Sequence, residues 1–457
     1  MAPGVSLSFL STLHCPYCGF ALGLSSANSI ADAVDYGILR CACHEYPIVG
    51  GIPILQQIEG LDRVVEYIRA LDSKRALLHA LNVFRVRWAH RSRWHQVRYH
   101  LNCRRVVSDT TTTFEDAARL LRRPKVVADY LIHRYANPSF LAAVAPLMLL
   151  GHLERRPEQI GDANHRTSDR TSDPHTRVLD LACGAGHASF LMQLLYPGLS
   201  VVSADQDFVS LYLAKRFIAP DATHLCWDAH VPSPFPDHCF DAVFCLDAFH
   251  YFRSKTAVVA ELKRIMRAEA FWLFPHLHNS LQHNIVAGIP LSPEQYLECF
   301  GFREARIFDE IALLLGLSQR RLVDLGTEHP LSKLNESQTL TYVRGGRDVW
   351  QLHDGFPSAF CRTRSTLLVN PIYRGRWHLD NLELELVWPN ELIRNECSAA
   401  ETVLPPKLQI GKSELRQLRQ LSAQMSTADW DRLGDLVARF VLVPLPPHYS
   451  HNNLTTS

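Results

Sequence analysis

The sequence predicts an α/β protein built on a doubly wound parallel sheet, with a small cysteine-rich module before it and an appendage after it. From residue 177 onward, strand-like apolar runs alternate with helix-like runs, which is the order of a parallel sheet covered by helices. Near the start, four cysteines fall in two close pairs, Cys15 with Cys18 and Cys41 with Cys43. These two patterns divide the chain into modules.

Length and composition indicate several ordered domains. The chain has 457 residues, against ~150 for a typical domain. Hydrophobic residues make up 47% and charged residues 20%, which excludes wholesale disorder. Lys and Arg number 47 and Asp and Glu 46, so the net charge does not by itself call for nucleic acid or an anionic membrane.

No apolar run approaches the ~20 residues of a spanning helix, and no secretory signal is recognised at the start. We therefore expect a cytoplasmic protein without a membrane span. The oligomeric state stays open.

Residues 1–60 predict a module like a zinc ribbon. The cysteine pairs flank a polar stretch, so their four thiolates would complete a tetrahedron around one structural zinc ion. A module this small has too little core to fold unaided, which favours a metal. The second pair is spaced C-x-C rather than C-x-x-C, so four buried thiols without metal stay as the alternative.

Within this module, CPYCG followed by YPIVGGIPIL resembles the small zinc-ribbon family of the activator subunit of tRNA and protein methyltransferases. That family also occurs fused to the front of bacterial methyltransferases. The resemblance covers residues 13–55 and implies a scaffolding role. Many bacterial members keep the fold after losing metal ligands.

Residues 61–153 predict a basic helical cap. Between Arg69 and Arg105, ten basic residues accompany one acid. Apolar residues recur there every three or four positions, which predicts a helix with one packed face. The predicted packed face comprises Val83, Val86, His90, Trp94, Val97 and Leu101, and the predicted outward residues are Arg87, Arg91 and Arg98. Two roles of this helix stay open. Its arginines could bind phosphates, or its charged face could stay in solvent while the helix packs on a neighbouring domain, and the second role is favoured.

Residues 154–176, where RTSD occurs twice, predict a flexible linker. The next strand, RVLDLACGAG, turns at Gly184 and Gly186 into a helix from His187. Glycine lets a ligand approach the backbone, and a helix N-terminus offers free N–H groups. Ser189 stands where a dinucleotide fingerprint would place its third glycine, which weakens an NAD interpretation.

Later strands end in carboxylates. LSVVSAD ends in Asp205, about twenty residues after the glycines, where a carboxylate accepts both ribose hydroxyls. HLCWDAH carries Asp228, and a fourth strand is predicted from Phe240 to Leu246. In a parallel sheet these carboxyl ends share one edge, where the ligand binds.

The joint order of VLDLACGAG, Asp205, WDA and PFPDHCFDAVFCLDAFHY resembles class I S-adenosylmethionine-dependent methyltransferases, especially the ubiquinone and menaquinone biosynthesis branch. The resemblance covers residues 177–344. It implies a Rossmann-like seven-stranded sheet, with SQTLTYVRG as the antiparallel seventh strand, and S-adenosyl-L-methionine as cofactor. The domain is therefore predicted over residues 177–345.

The same resemblance implies site roles. Asp180 would hold the methionine ammonium, Asp205 the ribose, and Asp228 with Ala229 the adenine. The implied cofactor-binding set is Asp180, Ala182, Gly184, Gly186, Asp205, Gln206, Asp228, Ala229 and Leu246.

Methyl transfer from a sulfonium is an in-line displacement, so alignment supplies most of the acceleration, and a base is needed only for a protonated acceptor. His250 and His278 stand where the fourth and fifth strands end and are the catalytic candidates. His250 is followed by two aromatic residues, so packing under a lid is its alternative role.

Residues 346–457 predict a C-terminal α/β appendage of unassigned role. The favoured function is methyl transfer to a small-molecule or biosynthetic acceptor. Two alternatives stay open, an RNA methyltransferase that uses the ribbon and basic helix, and a non-catalytic scaffold that binds S-adenosylmethionine. The lack of an NPPY-like signature disfavours the first alternative.

Overall fold

The computed structural model of the chain describes residues 4–30, 32–85, 93–122, 124–150, 176–284, 288–354, 367–419 and 427–450. The predicted linker, apart from its last residue, and Val86, Arg87, His90 and Arg91 of the predicted basic helix lie outside the described residues. Within the described residues, no helix combines the length and hydrophobicity needed to cross a membrane.

The N-terminal module is an antiparallel sheet of five short strands. Its elements are β1 (Val5–Ser6), α1 (Leu7–Leu10), β2 (Gly23–Ile30), β3 (Ala33–Arg40), β4 (Glu45–Val49) and β5 (Ile52–Pro53). The chain leaving β5 bridges Ile54 in parallel to Cys226, and the Leu55 N–H donates to the Cys226 carbonyl at 2.8 Å. The module is therefore joined through backbone hydrogen bonds to the central sheet.

Six helices follow and form the cap. They are α2 (Leu61–Arg69), α3 (Ser73–Val83), α4 (Arg93–Ser108), α5 (Phe114–Leu121), α6 (Lys125–Ile132) and α7 (Pro138–Leu147). Thr113 and Asp116 form a capping box at the start of α5, which fixes where that helix begins. All ten residues of α7 are buried, as expected for a helix that is apolar on every side.

The prediction of which face of the basic helix is packed is wrong. In α4 the buried residues are Tyr99, Cys103 and Val106. Tyr99 also donates a hydrogen bond from its hydroxyl to the Leu81 carbonyl, which fixes this face against α3. Apolar residues recur at helical spacing on two faces of α4, and the face that carries Tyr99 is the packed one. Trp94, Val97 and Leu101 consequently lie on the exposed side.

The central sheet has seven strands, as predicted. The strands from residue 176 to residue 354 are β6 (Thr176–Leu181), β7 (Leu199–Asp205), β8 (Thr223–Cys226), β9 (Phe240–Phe244), β10 (Met266–His278), β11 (Ala305–Asp309), β12 (Leu322–Asp324), β13 (Thr339–Arg344) and β14 (Leu352–Asp354). The sheet order is β11-β13-β10-β9-β6-β7-β8, and β12 pairs separately with β14. β13 runs antiparallel to both its neighbours, whereas β6 to β10 run parallel, so the carboxyl ends of those five strands share one edge.

Helices cover the central sheet. They are α8 (His187–Leu195), α9 (Phe208–Leu213), α10 (Lys255–Ile265), α11 (Pro293–Phe300), α12 (Glu310–Arg320) and α13 (Leu331–Glu336). A capping box of Ser292 and Gln295 starts α11, and Asp309 caps α12. This alternation of parallel strands and helices is the predicted doubly wound arrangement.

The C-terminal region combines strands and helices. Its elements are β15 (Leu367–Val369), β16 (Tyr373–His378), β17 (Asn381–Leu386), α14 (Glu391–Glu396), β18 (Lys407–Gly411), α15 (Lys412–Arg419), α16 (Thr427–Ala438) and β19 (Leu442–Pro444). In β17, Leu382 and Leu384 are buried while Glu383 and Glu385 are exposed, which explains the alternating sequence LELEL.

The last described segment returns to the cap. The Tyr449 hydroxyl lies 3.0 Å from the Ile132 carbonyl and 3.1 Å from His187 Nε2. The Phe114 N–H donates to the His448 carbonyl at 2.9 Å. The start of α5, the end of α6 and the start of α8 are therefore held together by one C-terminal residue and its neighbour.

We expect Tyr449→Ala to lower the free energy of unfolding by about 3 kcal/mol or more, because it removes a buried ring and its hydrogen bonds. Urea denaturation followed by near-ultraviolet circular dichroism measures the loss. Leu379→Ala is the control, since that side chain is 89% exposed. Equal denaturation midpoints for the two variants would show that the C-terminal segment does not pack as described.

Candidate active site

The turn after β6 holds three residues with positive φ, namely Ala182 at 56°, Gly184 at 55° and Gly186 at 77°. A Cβ on Gly184 would meet no atom within 4 Å, so this position leaves open space beside the backbone. A Cβ on Gly186 would lie 2.9 Å from the Ala214 side chain. Gly184 is therefore suited to ligand approach, whereas Gly186 permits the close packing of α8 on its neighbour.

A cavity of about 890 Å³ opens at the shared carboxyl edge of the sheet. Cap helices and the C-terminal helix α14 contribute to its wall. The predicted site residues that line it are Asp180, Ala182, Gly184, Asp205, Gln206, Leu246 and His278. Gly186, Asp228, Ala229 and His250 are not part of its wall.

The buried carboxylate of Asp180 and the half-buried one of Asp205 mark one part of the cavity. Asp205 accepts hydrogen bonds from the Gly184 N–H at 2.9 Å and the Asp207 N–H at 2.8 Å. Burial raises the pKa of Asp205 to about 6. Asp180 accepts a hydrogen bond from the Ser189 hydroxyl, and burial raises its pKa to about 7. Both side chains therefore favour a cationic or hydroxyl-bearing ligand, which would stabilise the ionised carboxylates.

Asp228 lies after β8 and outside the cavity wall. Its Oδ1 accepts hydrogen bonds from the His230 N–H at 3.0 Å and the ring Nδ1 at 2.7 Å. Also beside β8, the N-terminal module supplies Gln56, whose amide donates to the Gln206 carbonyl at 2.8 Å. One carboxylate oxygen of Asp228 thus stabilises a local turn, and the adenine role implied for this residue stays a prediction.

Asp247 connects the sheet to the cap. It follows β9 with a φ of 52°, which is rare for a residue with a side chain. Its Oδ2 accepts hydrogen bonds from the Tyr130 hydroxyl and, at 3.0 Å, from Arg134 Nη1. Burial alone would raise the pKa of Asp247, but the charges of His276 and Arg134 outweigh burial and hold it well below its usual range. Asp247 is therefore an anion anchored to the cap.

His276 lies on the other side of Asp247. Its Nε2 is 3.8 Å from Asp247 Oδ1, and its Nδ1 is 2.9 Å from Glu310 Oε1. Burial disfavours a charged imidazole, but the carboxylates of Glu310 and Asp247 outweigh it and raise the pKa of His276. The backbone of His276 has a φ of 56°, beside an irregularity in the pairing of β10 with β13. This strained geometry turns the imidazole towards the two carboxylates.

The two catalytic candidates form a stacked pair. The rings of His250 and His278 lie 3.8 Å apart at an angle of 9°. His278 lines the cavity, whereas His250 is fully buried behind it. Burial lowers the pKa of His250 to about 3 and that of His278 to about 4. The alternative role for His250, packing under a lid, therefore fits the structure better than direct contact with a ligand.

His250, His278 and Asp247 each offer a ligand atom within 4.8 Å of the others. The lone pairs of imidazole lie in the ring plane, and two parallel planes do not meet at one ion. Among the described residues, both nitrogens of His250 and Nδ1 of His278 have no hydrogen-bond partner. His278 is thus available for a hydrogen bond to a bound molecule, whereas the stacked pair is poorly arranged for coordinating one metal.

Part of the cavity wall lies in a region of the chain that is similar to known proteins. Residues 179–274 match the family described as Methyltransferase domain. This part of the chain is therefore similar to a methyltransferase domain. The matched residues run from β6 to β10 and include Asp180, Gly184, Asp205 and Asp247, so the family match covers the sheet side of the cavity wall.

Several curated proteins are similar to part of this chain. Phthiotriol/phenolphthiotriol dimycocerosates methyltransferase 1 of Mycobacterium ulcerans is 30% identical over 25% of this chain and 43% of its own length. Malonyl-[acyl-carrier protein] O-methyltransferase of Legionella pneumophila is 30% identical over 22% and 36%. Demethylmenaquinone methyltransferase of Thermotoga maritima is 31% identical over 20% and 39%. The chain spans less than half the length of each.

Among solved structures, a SAM dependent methyltransferase from Aquifex aeolicus is 15% identical, covering 47% of this chain and 96% of that one with a TM-score of 0.30.

In the N-terminal module, the four predicted metal ligands come together. The sulfur atoms of Cys15, Cys18, Cys41 and Cys43 all lie within 4.8 Å of one another. The Cys15 and Cys43 sulfurs are 3.6 Å apart, and those of Cys41 and Cys43 are 3.4 Å apart. Zn–S bonds of about 2.3 Å in a tetrahedron place sulfurs about 3.8 Å apart, so this donor set fits zinc.

The cavity residues that the sequence analysis did not single out include Arg122, Tyr130, Arg134 and Asp207. Arg122 pairs with Asp207, and Arg134 with Asp247, across long stretches of chain. Asp207 carried a local signal, because an aspartate before the helix-like run FVSLYL is a typical N-cap. The two arginines carried none, since their partners are set by tertiary contacts.

We expect Glu310→Gln to lower the pKa of His276, because it replaces the nearest anion by a neutral amide. Titration of the imidazole by nuclear magnetic resonance measures the change. Glu328→Gln removes an exposed carboxylate paired with Arg306 and serves as the matched control. An unchanged His276 titration in Glu310→Gln would contradict the described pair.

Proposed function

We propose that this protein transfers a methyl group from S-adenosyl-L-methionine to a small-molecule acceptor. One observation carries the proposal. The carboxylates and the glycine turn predicted for the cofactor open into the same cavity as Asp247, His276 and His278. Donor and acceptor would therefore meet in one enclosed space, where alignment accelerates an in-line displacement.

The residues present fit the cofactor. Gly184 leaves room for a ligand beside the backbone, and Asp205 and Asp180 present carboxylates to its polar groups. Asp205 would accept the ribose hydroxyls, and Asp180 would face the methionine ammonium. When bound, S-adenosylmethionine supplies an electrophilic methyl group. Ala182, Gln206 and Leu246 complete the wall on this side.

The acceptor would lie beneath the cap. Tyr130 and Arg134 of the cap, His278 of β10 and Glu396 of α14 all face this cavity. Imidazoles with a pKa as low as about 4 are weak bases at neutral pH, so His278 would orient an acceptor by hydrogen bonding rather than remove its proton. Walls drawn from the cap, the sheet and the C-terminal region favour a small acceptor over a polymer.

The names of relatives support an acceptor from lipid or cofactor biosynthesis. Two relatives are demethylmenaquinone methyltransferases, from Thermotoga maritima and from Thermus thermophilus, at 31% and 33% identity. They support the quinone-type branch that the sequence motifs resemble. Apolar side chains such as Leu246 and Ile393 in the cavity wall suit an acceptor with a hydrocarbon part.

We further propose that the N-terminal module is a zinc ribbon with a scaffolding role. Its four thiols converge, and its last strand continues into the hydrogen bond of Leu55 with Cys226. Ile58, near the end of the module, contributes to the cavity wall. Holding β5 in place would therefore also hold this part of the wall.

Calorimetry with S-adenosylmethionine tests the first proposal. We expect Asp205→Ala to weaken binding about ten- to a hundredfold, because it removes charged hydrogen bonds worth roughly 1.5 to 3 kcal/mol. Asp221→Ala is the matched control and should leave the affinity unchanged, since this aspartate is exposed and lies outside the cavity wall. An unchanged affinity in Asp205→Ala would refute the ribose assignment.

The affinity for S-adenosylmethionine, measured in the same way, should depend on pH. With a pKa raised to about 6, Asp205 is ionised above that pH and becomes protonated as the pH falls through it. The affinity of the wild type should therefore fall between neutral pH and pH values below about 6. Asp205→Asn should remove the part of this fall near pH 6 and leave the part near pH 7, because the pKa of Asp180 is raised to about 7. An equally steep fall near pH 6 in that variant would assign this titration to another group.

Elemental analysis tests the ribbon. We expect about one zinc per chain in untreated protein, because four thiolates converge on one point. Cys41→Ser with Cys43→Ser should abolish the zinc content. Cys299→Ser, a thiol outside the cluster, should retain it. Untreated protein without zinc would indicate a ribbon that folds without metal.

A further inference from the structure

The outward face of α4 carries three large apolar side chains in a row. Trp94, Val97 and Leu101 are 81%, 53% and 56% exposed. Spacings of three and four residues place them on one side of the helix. The opposite side is the one that packs through Tyr99, Cys103 and Val106. Helix α4 therefore has two apolar faces, and the protein buries only one of them.

Arginines flank the exposed apolar row. At about 100° per residue, Arg93 and Arg104 lie along one edge of the row and Arg98 and Arg105 along the other. All four are exposed, and the sequence of α4 contains no acid. Within the described ranges, none of the four has an ion-pair partner within 4 Å. The face is thus an apolar strip between two cationic edges.

We propose that this face of α4 docks the protein onto the surface of an anionic lipid bilayer. Helices that lie in a membrane interface bury Trp and Leu at the level of the acyl boundary and place Arg against anionic headgroups. The apolar row and its flanking arginines supply both contributions on a helix held by its other face. Docking in this manner requires no spanning segment and does not depend on the proposed methyl transfer.

The apolar row favours lipid over RNA as the partner. Arginine and tryptophan serve in nucleic-acid binding, through phosphate contacts and base stacking. Val97 and Leu101 have no such use, because aliphatic side chains neither stack on bases nor pair with phosphates. They do gain free energy by leaving water for hydrocarbon.

The fold also places this face close to the cavity. Helix α4 packs on α3 and α5. Val83 and Phe84, at the end of α3, and Leu121 and Arg122, at the end of α5, line the cavity wall. A bilayer bound to α4 would therefore lie against the cap, on the far side of the two helices that border the cavity.

Co-sedimentation of the full chain with vesicles tests the proposal. We expect binding to phosphatidylcholine vesicles that contain about a quarter phosphatidylglycerol, and weaker binding to pure phosphatidylcholine. Arg98→Gln with Arg105→Gln should lower the partition coefficient about twenty-five-fold, at roughly fivefold for each arginine near an anionic surface. Arg303→Gln with Arg347→Gln, two exposed arginines outside α4, is the matched control.

The apolar row is tested separately. Trp94→Ser should lower partitioning about tenfold and Leu101→Ser about threefold. Leu352→Ser is the control for Leu101→Ser, because the two leucines are 57% and 56% exposed. All of these positions are exposed, so the variants should retain the circular dichroism of the wild type.

Three outcomes would overturn the proposal. The first is failure of the wild type to bind the anionic vesicles, and the second is equal binding by the α4 variants and their controls. The third is tight, salt-sensitive binding of single-stranded RNA that needs the arginines but tolerates Trp94→Ser and Leu101→Ser. Calorimetry with S-adenosylmethionine does not depend on any of these three outcomes, so it tests the proposed function separately.

Discussion

The ionic contact between Asp247 and Arg134 is the constraint on which the arrangement of the site depends. Asp247 belongs to the sheet and Arg134 to the cap, and both side chains are about nine-tenths buried. A buried charge is costly unless it is paired and hydrogen-bonded, so each of these groups needs the other. Tyr130 and His276 satisfy the remaining contacts of Asp247. The position of the cap over the sheet, and with it the shape of the cavity, follows from this pairing.

The parts of the fold that depend on local sequence could be predicted. Alternating strands and helices led to the doubly wound sheet, and the glycine turn and a carboxylate at a strand end led to Gly184 and Asp205 in the cavity wall, while the family resemblance implied the seven strands and Asp180. Each of these features is determined by neighbours within a few residues or by the common direction of parallel strands. The convergence of the four cysteines was predictable for the same reason, because two close pairs flanked a hairpin.

The parts that failed depend on tertiary contacts. Periodicity alone did not decide between the two apolar faces of α4, and the Tyr99 hydroxyl bond to α3 decided it. Asp228 follows a strand, as a ligand-binding aspartate would, and its Oδ1 is bonded to His230 in a turn, a contact that the strand pattern does not indicate, so its adenine role stays a prediction. His250 differs from His278 by burial, which no pattern of adjacent residues reports. The arginines of the cap were missed because their carboxylate partners come from strands far along the chain.

The contact of Tyr449 with His187 has a consequence for biosynthesis. The two residues are 262 positions apart in the chain. At a translation speed of about 5 to 20 residues per second, roughly 13 to 50 seconds separate their emergence from the ribosome. During that interval the aromatic rings of Phe114 and Tyr135, which pack around Tyr449 in the finished protein, have no final neighbour. The nascent chain therefore passes through a stage in which the sheet is complete and one side of the cap is still open. During this stage the open side of the cap is a surface that a chaperone can bind.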